Sequence, residues 1–440
     1  MASTDSVEKP LEPLFPRLPG GPRRLKADEV ARHQKGRLEG AIIEAVARHG
    51  FASTTVRELV TLAGVSKSTF YEHFVSKEDC FLATFDSIVE RVSEEVATAY
   101  GSSGALRDRL LAGLGRFMDL VVERPEVAAF AAVDSLTLGS AGLAHRDRFW
   151  ATFEQMTRQY FVDEPLQQQV SEITVRAILS GISGVVYQRL RHGTTRELPD
   201  LVEPLIDWAF SYQDSDTAPI RRAVAAAERT LPTGSGREEE AVGWEEPPDS
   251  PLSRAKLSQR QRIIRAAAKV VSERGYEALS IPAISAAAGT SNQTFYENFN
   301  SKREAFLAAY DVVAEKALRV GAEAFESEGD GPEATGTALR ALTEHIAGNQ
   351  VFARLAFVEM MTAGPPALDR SEEMLSRVIS SFGAGSKALG TGVPRVALEA
   401  TAAGIWFVVQ REIASGREVA LPGKAPELAT LALAPLSATA

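Results

Sequence analysis

The sequence of 440 residues contains one cysteine, Cys80, and six histidines. A single thiol cannot form an intramolecular disulfide, and such a composition is typical of a protein from a reducing compartment. The histidines stand at positions 33, 49, 73, 145, 192 and 345, without the close spacing of a metal-binding motif. We therefore interpret Cys80 as a buried structural thiol and expect no metal site and no cofactor.

Long apolar runs are missing too. No stretch approaches 18 uninterrupted apolar residues, and the N-terminus lacks the apolar core of a signal peptide. The apolar content of 45% and the charged content of 24% are ordinary for a globular protein. The sequence predicts a cytoplasmic protein that neither spans a membrane nor is exported.

Signatures of catalysis are scarce as well. The segment GAGSK at 383–387 resembles a phosphate-binding loop, but no GK[ST] follows at the required spacing. The segment SGISG at 180–184 lacks the glycine pattern of a nucleophile elbow. We expect no catalytic residues and predict that the protein is not an enzyme.

The net charge of −10 hides two basic regions. Residues 254–303 hold nine Lys/Arg against three Asp/Glu, and residues 23–78 hold ten against seven. The local charges are thus +6 and +3, and the rest of the chain carries −19, since −19 + 6 + 3 = −10. Two basic patches in an acidic chain leave nucleic acid open as a partner.

A repeat explains the two patches. The phrase SKSTFYEHFVSK at 66–77 returns as SNQTFYENFNSK at 291–302, a shift of 225 positions. Sliding 34–86 onto 259–311 needs no gap and gives 19 identities in 53 positions. The same shift aligns Asp134 with Glu359, and a shift of 223 aligns 185–199 with 408–422. The chain is therefore a tandem duplication of units of about 190 residues.

Composition and repeat together divide the chain. Prolines at positions 10, 13, 16, 19 and 22 mark a disordered or semi-rigid leader, and an acidic segment rich in Pro and Gly marks a linker. A short helix is expected at 218–231, next to that linker. The predicted regions are a leader (1–33), the first part of copy one (34–95), the second part of copy one (96–212), the linker (213–253), the first part of copy two (254–320), the second part of copy two (321–433) and a tail (434–440).

Each unit opens with three short helices, and helical periodicity elsewhere predicts an all-α fold. In the first copy, Thr55 with Glu58 forms a capping box, Gly64 ends the second helix, and Ser66 caps the third. In the second copy Ser280 caps the helix that contains Pro282. A tight glycine turn between the second and third helices is typical of a helix-turn-helix, whose last helix enters a major groove.

The last short helix has two faces. Phe70 and Phe74, with Phe295 and Phe299 in the second copy, are predicted to be core. Lys67, Ser68 and Tyr71 share a polar face because they are three or four residues apart. Asn292 and Gln293 replace Lys67 and Ser68, and Asn or Gln pairs with adenine whereas Lys prefers guanine acceptors. The residues that both copies share are predicted to contact the DNA backbone. The exchanged pair is predicted to contact base edges.

Some alternatives remain open from the residues alone. The four residues of the exchanged pairs could be solvated surface, but the duplicated helix-turn-helix and the local charge favour contact with DNA. His73 and Asn298 could contact phosphate or cap the end of the helix. The late segments 173–190 and 396–413, rich in Gly and Ala, could form an interface or plain core.

The segments VTLAGVSKSTFYEHFVSKEDCF (60–81) and ISAAAGTSNQTFYENFNSKREAF (284–306) resemble the TetR/AcrR family of transcriptional regulators. The resemblance covers about 50 residues per copy. It implies an all-α fold with two tandem units, each a three-helix helix-turn-helix domain followed by a helical effector and dimerisation domain. It implies DNA contacts by the following residues: Lys67, Ser68, Thr69, Tyr71, His73, Lys77, Asn292, Gln293, Thr294, Tyr296, Asn298 and Lys302.

Two features depart from the family pattern. Many members have Gly or Pro where Ser68 and Gln293 stand, which leaves the position of the helix in the groove open. Members usually carry one unit per chain, so the fusion itself is the larger departure.

The expected function is a sequence-specific regulator of transcription that binds double-stranded DNA, as a ligand-responsive repressor. Its two unlike heads, 55–74 and 280–299, would read adjacent major grooves as a covalent pseudo-dimer, with a small-molecule effector in the regulatory domains and a further homodimer left open. The alternative is a single-headed DNA-binding protein or an interaction scaffold, because Glu58, Glu72 and Glu78 dilute the charge of the first head.

Overall fold

The computed structural model describes residues 27–101, 104–138, 142, 145, 171–214, 259–328, 332–388 and 393–437. Across these ranges the regular elements are helices joined by turns, which confirms the all-α class. They divide into two compact units. One lies within Met1–Arg146 and Leu190–Arg196, and the other within Asp147–Arg189 and Glu197–Ala440.

The first unit contains the first head and the helices that follow it. Its helices are α1 (Ala27–His49), α2 (Val56–Ala63), α3 (Lys67–His73), α4 (Lys77–Tyr100), α5 (Leu106–Glu123) and α6 (Pro125–Ala132). Two 3₁₀ turns, Phe51–Ser53 and Asp134–Leu138, follow α1 and α6. Phe81 of α4 stacks on Phe130 of α6 at 4.0 Å between ring centroids, which joins the head to the next helices of the unit.

The second unit contains the late helices of the first copy and all described helices of the second. The first copy supplies most of α7 (Glu172–His192) and all of α8 (Val202–Asp214), and a 3₁₀ turn, Thr195–Leu201, separates them. The second copy supplies α9 (Gln259–Arg274), α10 (Ile281–Ala288), α11 (Asn292–Asn298), α12 (Lys302–Glu328), α13 (Pro332–Ala347), α14 (Gln350–Arg354), α15 (Met360–Thr362), α16 (Pro365–Ala388), α17 (Arg395–Ala414) and α18 (Ala425–Ser437). A π turn, Leu355–Glu359, joins α14 to α15, and 3₁₀ turns Glu418–Ala420 and Pro422–Lys424 precede α18.

The predicted capping residues stand where the sequence put them. Thr55 accepts a hydrogen bond from the Glu58 amide, Ser66 from the Thr69 amide and Ser280 from the Ala283 amide. These side chains satisfy backbone donors that the first helical turn leaves free. The three caps are confirmed, whereas the Glu58 carboxylate, predicted to complete a capping box with Thr55, bonds to His49 at 3.1 Å.

One boundary differs from the expected one. Helix α1 begins at Ala27, inside the segment 1–33 assigned to the leader. Asp28 and Glu29 lie in its first turn, where a carboxylate is favourable beside the positive end of the helix dipole. The proline repeat, the short helix expected at 218–231 and most of the linker lie outside the described residues.

The late helices of the two copies pack together inside the second unit. Trp208 of α8 donates from Nε1 to Oγ1 of Thr401 at 2.9 Å, and the Tyr212 hydroxyl donates to the Leu431 carbonyl at 3.1 Å. Both rings are buried. The last helices of the region 96–212 therefore share a core with the second copy.

None of the helices that the structure describes is long and apolar enough to cross a bilayer.

Candidate nucleic-acid interface

The first head holds α3 by its aromatic side chains. Phe70 is fully buried and Phe74 is 3% exposed, with 5.7 Å between their ring centroids. Tyr71 is 51% exposed although it lies edge-on to Phe70 at 5.3 Å. One face of α3 is thus fixed in the core and the opposite face is presented to solvent, as the sequence predicted for the two phenylalanines.

A glycine turn sets the angle between α2 and α3. Gly64 has φ of +59°, a left-handed conformation that glycine adopts without strain, and its amide donates to the Thr61 carbonyl. Arg37 of α1 donates to the Gly64 carbonyl at 3.1 Å, so α1 holds the turn in place. Gly289 repeats the conformation in the second head, with φ of +62°.

The second head presents α11 in the same way. Phe295 and Phe299 are buried, whereas Tyr296 is 60% exposed. Ser291 caps α11 by accepting from the Thr294 amide at 3.0 Å. Two short helices of equal length are therefore held by the same aromatic pair.

The outward faces differ between the heads. In the first head Lys67 and Ser68 are exposed; the Lys67 ammonium lies 5.9 Å from the centre of the Tyr71 ring, and the Ser68 hydroxyl bonds to the Ser66 hydroxyl at 2.7 Å. In the second head Asn292 and Gln293 are exposed, and Gln293 donates to Glu297 at 3.2 Å. The first face offers a cation and hydroxyls, the second offers amides.

The two lysines that open the next helices are half-buried and bonded to backbone. Lys77 donates to the carbonyls of Phe51 and Thr54, at 3.1 and 3.0 Å. Lys302 donates to the Leu279 carbonyl at 2.7 Å. Because an ammonium has three donors, each lysine keeps at least one N–H for another acceptor.

The other predicted contact residues occupy the flanks of the helices. Thr69 and Thr294 are half-exposed and bond to the hydroxyls of the capping serines. The Asn298 amide donates to the Thr294 carbonyl at 2.8 Å, as the capping alternative expects. Nε2 of His73 is buried and makes no hydrogen bond within the described part of the chain.

Arg260, which was not singled out from the sequence, also supports α11. Its guanidinium lies 4.1 Å from the centre of the Phe299 ring and donates to the Asn298 carbonyl at 2.8 Å. It therefore holds the C-terminal end of α11. The alignment at 225 positions, which pairs Arg260 with Lys35, was the available signal.

The sequence missed a second residue, Glu359, which closes the turn after α9. Its buried carboxylate accepts from the Tyr276 amide at 2.8 Å and pairs with Arg354 at 3.3 Å. A Cβ added to Gly275 would lie 3.6 Å from the same carboxylate. The aligned residue of the first copy is Asp134, and burial raises the pKa of its carboxyl to about 6.

The sequence profile of the family described as "Bacterial regulatory proteins, tetR family" matches the chain at residues 40–84 and 263–309. Both matches span the helices that build the two heads. The two matched segments belong to the TetR family. The chain thus carries two TetR-type units in tandem, as the repeat predicted.

A curated relative is the HTH-type transcriptional activator FasR from Mycolicibacterium smegmatis. It is 32% identical over 105 residues, which are 23% of this chain and 46% of the relative. The chain thus matches about half the length of that protein.

Two solved structures are similar to parts of this chain. One is a TetR family transcription regulator from Marinobacter aquaeolei, with a TM-score of 0.36 and 20% identity over 43% of this chain and 98% of that one. The other is the fatty acid degradation regulator FadR from Bacillus halodurans, with a TM-score of 0.36 and 15% identity over 39% of this chain and 96% of that one.

Proposed function

We propose that the protein is a sequence-specific, double-stranded DNA-binding regulator of transcription. The observation that carries the proposal is the pair of exposed helices α3 and α11, each capped by a serine and held by two buried phenylalanines. Both lie in positively charged segments of an acidic chain. Tyr71, Lys77 and their counterparts would grip phosphates, and the unlike pairs Lys67–Ser68 and Asn292–Gln293 would read different bases.

We further propose that the two copies of the tandem repeat pair with each other within one chain. Small residues at the crossing of α7 and α17 support it, because a Cβ on Gly181 would lie within 3.0 Å of the Ala400 carbonyl oxygen and a Cβ on Gly404 within 3.0 Å of the Ala177 carbonyl oxygen. The 223-position shift pairs Gly181 with Gly404 and Ala177 with Ala400. Such a reciprocal contact is what a two-fold dimer interface produces.

The linker is long enough for this pairing. As a flexible coil, about 40 residues span about 35 Å, which keeps the effective concentration of the second unit near millimolar. Two unlike heads on one pseudo-dimer would read an asymmetric site with half-sites about one helical turn apart.

The direction of regulation and the effector form the finer part of the proposal. We expect a ligand-responsive repressor with a small-molecule effector in the helical regulatory domains, on the basis of the family resemblance. The relative FasR is named an activator. A reporter gene placed behind the selected site, with and without the protein, measures the sign directly, and a rise in expression would replace the repressor by an activator.

Selection of bound fragments from random duplex DNA tests the function itself. We expect one enriched site with two different half-sites, and binding that weakens steeply with salt because phosphate contacts release counterions. A folded protein that ignores duplex DNA at low ionic strength would refute the proposal. A single enriched half-site, unaffected by Lys67→Ala with Tyr71→Ala, would favour the single-headed alternative.

Light scattering tests the internal pairing. We expect a one-chain species of 47.4 kDa that protects two half-sites on the selected DNA. A two-chain species alone, with four protected half-sites, would contradict the pseudo-dimer.

A further inference from the structure

The late helices of the two copies carry opposite charges at matching positions. The 223-position shift that aligns 185–199 with 408–422 extends without a gap through α7 and α17. It pairs Glu172 with Arg395, Arg176 with Glu399, and Arg189 with Glu412. Three ionisable positions thus keep a charge in both copies and reverse its sign.

An ion pair between two of these positions joins the two copies directly. The Arg189 guanidinium of α7 donates to the Glu399 carboxylate of α17 at 2.9 Å, and Glu399 also pairs with Arg395 at 3.0 Å. The side chain of Glu399 is 7% exposed and that of Arg189 is 16% exposed. Salt screens such a half-buried pair much less than it screens a surface pair.

The reciprocal glycine contacts show which residues would face each other if two identical copies paired. In a two-fold interface, position 189 of one copy faces the position equivalent to 176 in the other, as Arg189 faces Glu399. Two first copies would therefore place Arg189 against Arg176. Two second copies would place Glu399 against Glu412, which is 2% exposed.

We propose that this charge reversal makes the interface specific for one first-copy face against one second-copy face. The inference rests on the internal pairing proposed above. It states that the surface of one copy is covered by the other copy of the same chain, and not by an identical copy of a second chain. Like-with-like pairing loses the Arg189–Glu399 pair and brings equal charges together away from water, which is costly. Glu399 keeps its contact with Arg395, and Glu412 keeps those with Arg417 and Lys424. Specificity follows from this repulsion as well as from the Arg189–Glu399 attraction.

The test changes the charge of one residue in the full-length chain. Glu399→Arg opposes Arg189 within the chain but makes two second copies complementary, because Arg at 399 would face Glu412. Glu399→Gln removes the internal pair without creating that complementarity, and is the matched control. We expect sedimentation analysis to show a dissociation constant of the two-chain species at least about tenfold lower for Glu399→Arg than for Glu399→Gln.

A second variant keeps the test decisive if Glu399→Arg folds poorly. Arg189→Glu combined with Glu399→Arg restores an internal pair with its direction reversed. We expect it to recover part of the loss in melting temperature, because the new carboxylate also lies beside Glu197 and the new guanidinium beside Arg395. A double variant whose melting temperature is no higher than that of Glu399→Arg alone would overturn the inference. Equal self-association of Glu399→Arg and Glu399→Gln would overturn it as well.

The wild type separates this inference from the pseudo-dimer. A wild type that exists only as a two-chain species refutes the internal pairing and the inference with it. A one-chain wild type whose Glu399→Arg variant gains no two-chain species refutes the charge-based specificity alone.

Discussion

The two heads close the turn before the second helix by different means. In the first head the Thr54 hydroxyl makes a local contact, donating to the Gly50 carbonyl at 3.0 Å. Lys77 donates to two carbonyls of the same turn, as Lys302 does to one in the second head. In the second head Leu279 replaces Thr54, and the carboxylate of Glu359, far along the chain, holds the Tyr276 amide. Helices α3 and α11, which match in length and capping, are therefore supported by different contacts in the two heads.

The cores of the heads differ in polarity as well. Glu39 of α1 is buried and accepts from the Ser87 hydroxyl at 2.9 Å, and burial raises the pKa of its carboxyl. Ile264 and Val312 occupy the aligned positions of the second head. The first head thus keeps a polar contact between α1 and α4 where the second head has apolar side chains. The comparison indicates that the aromatic pair, which both heads share, sets the orientation of α3 and α11.

The largest expected effect tests that shared pair. Phe70→Ala and Phe295→Ala each remove a fully buried ring, and we expect each to cost about 3–5 kcal/mol in the unfolding free energy of its own head. Denaturant unfolding measures the loss, and binding to the selected site reports which half-site is lost. Phe51→Ala, at a half-exposed ring, is the control, and a loss there as large as at Phe70 would break the comparison.

A pH-dependent effect distinguishes the acids that follow the two heads. Burial raises the pKa of Asp134 from 3.8 to about 6, so the folded protein holds this proton more tightly than the unfolded chain. The unfolding free energy should therefore fall as pH rises through this interval, by at most about 3 kcal/mol from this group. We expect Asp134→Asn to stabilise the protein at pH values above 6 and to have little effect below 4.

Melting temperatures of wild type and Asp134→Asn across this pH range check the prediction. The control is Glu359→Gln, which should destabilise because it breaks the ion pair with Arg354 at 3.3 Å. An equal gain from Asp134→Asn at all pH values would contradict the assigned cause.

A glycine pair sharpens the contrast between the crossing of α7 with α17 and the rest of the first copy. A Cβ on Gly184 would overlap the Ala403 side chain, so we expect Gly184→Ala to cost about 1–3 kcal/mol through overpacking. A Cβ on Gly115 of α5 meets no atom within 4 Å, and Gly115→Ala should instead stabilise by about 0.5–1 kcal/mol. Thermal unfolding compares the two, and equal effects would argue against close packing at Gly184.

The smallest effects separate base reading from backbone grip. We expect Asn292→Ala and Gln293→Ala to change base preference at one half-site, by about 1–3 kcal/mol for each lost bidentate pair. Tyr296→Phe should weaken binding to all sequences by about 0.5–1.5 kcal/mol, the value of one hydrogen bond. Competition between selected and random duplexes measures both. If Gln293→Ala lost equal affinity for both duplexes, Gln293 would not be a residue that contacts base edges.

Much of each head could be predicted from the sequence because its signals are local. Capping at Thr55, Ser66 and Ser280 depends on residues within one helical turn, and the structure confirms it. The role of Glu359 could not be predicted, because the Tyr276 amide lies 83 positions away and no periodic pattern connects them. The same holds for Arg189 with Glu399, separated by 210 positions.

The sequence by itself determined the repeat, the helical class, the two helix-turn-helix phrases and the faces of α3 and α11, since spacing of three and four residues fixes which side chains share a face. Only the tertiary structure decided that α7 and α8 of the first copy pack on α17 and α18 of the second, and that a buried carboxylate closes the turn of the second head. Such contacts depend on which faces meet after folding, and chain distance carries no information about that.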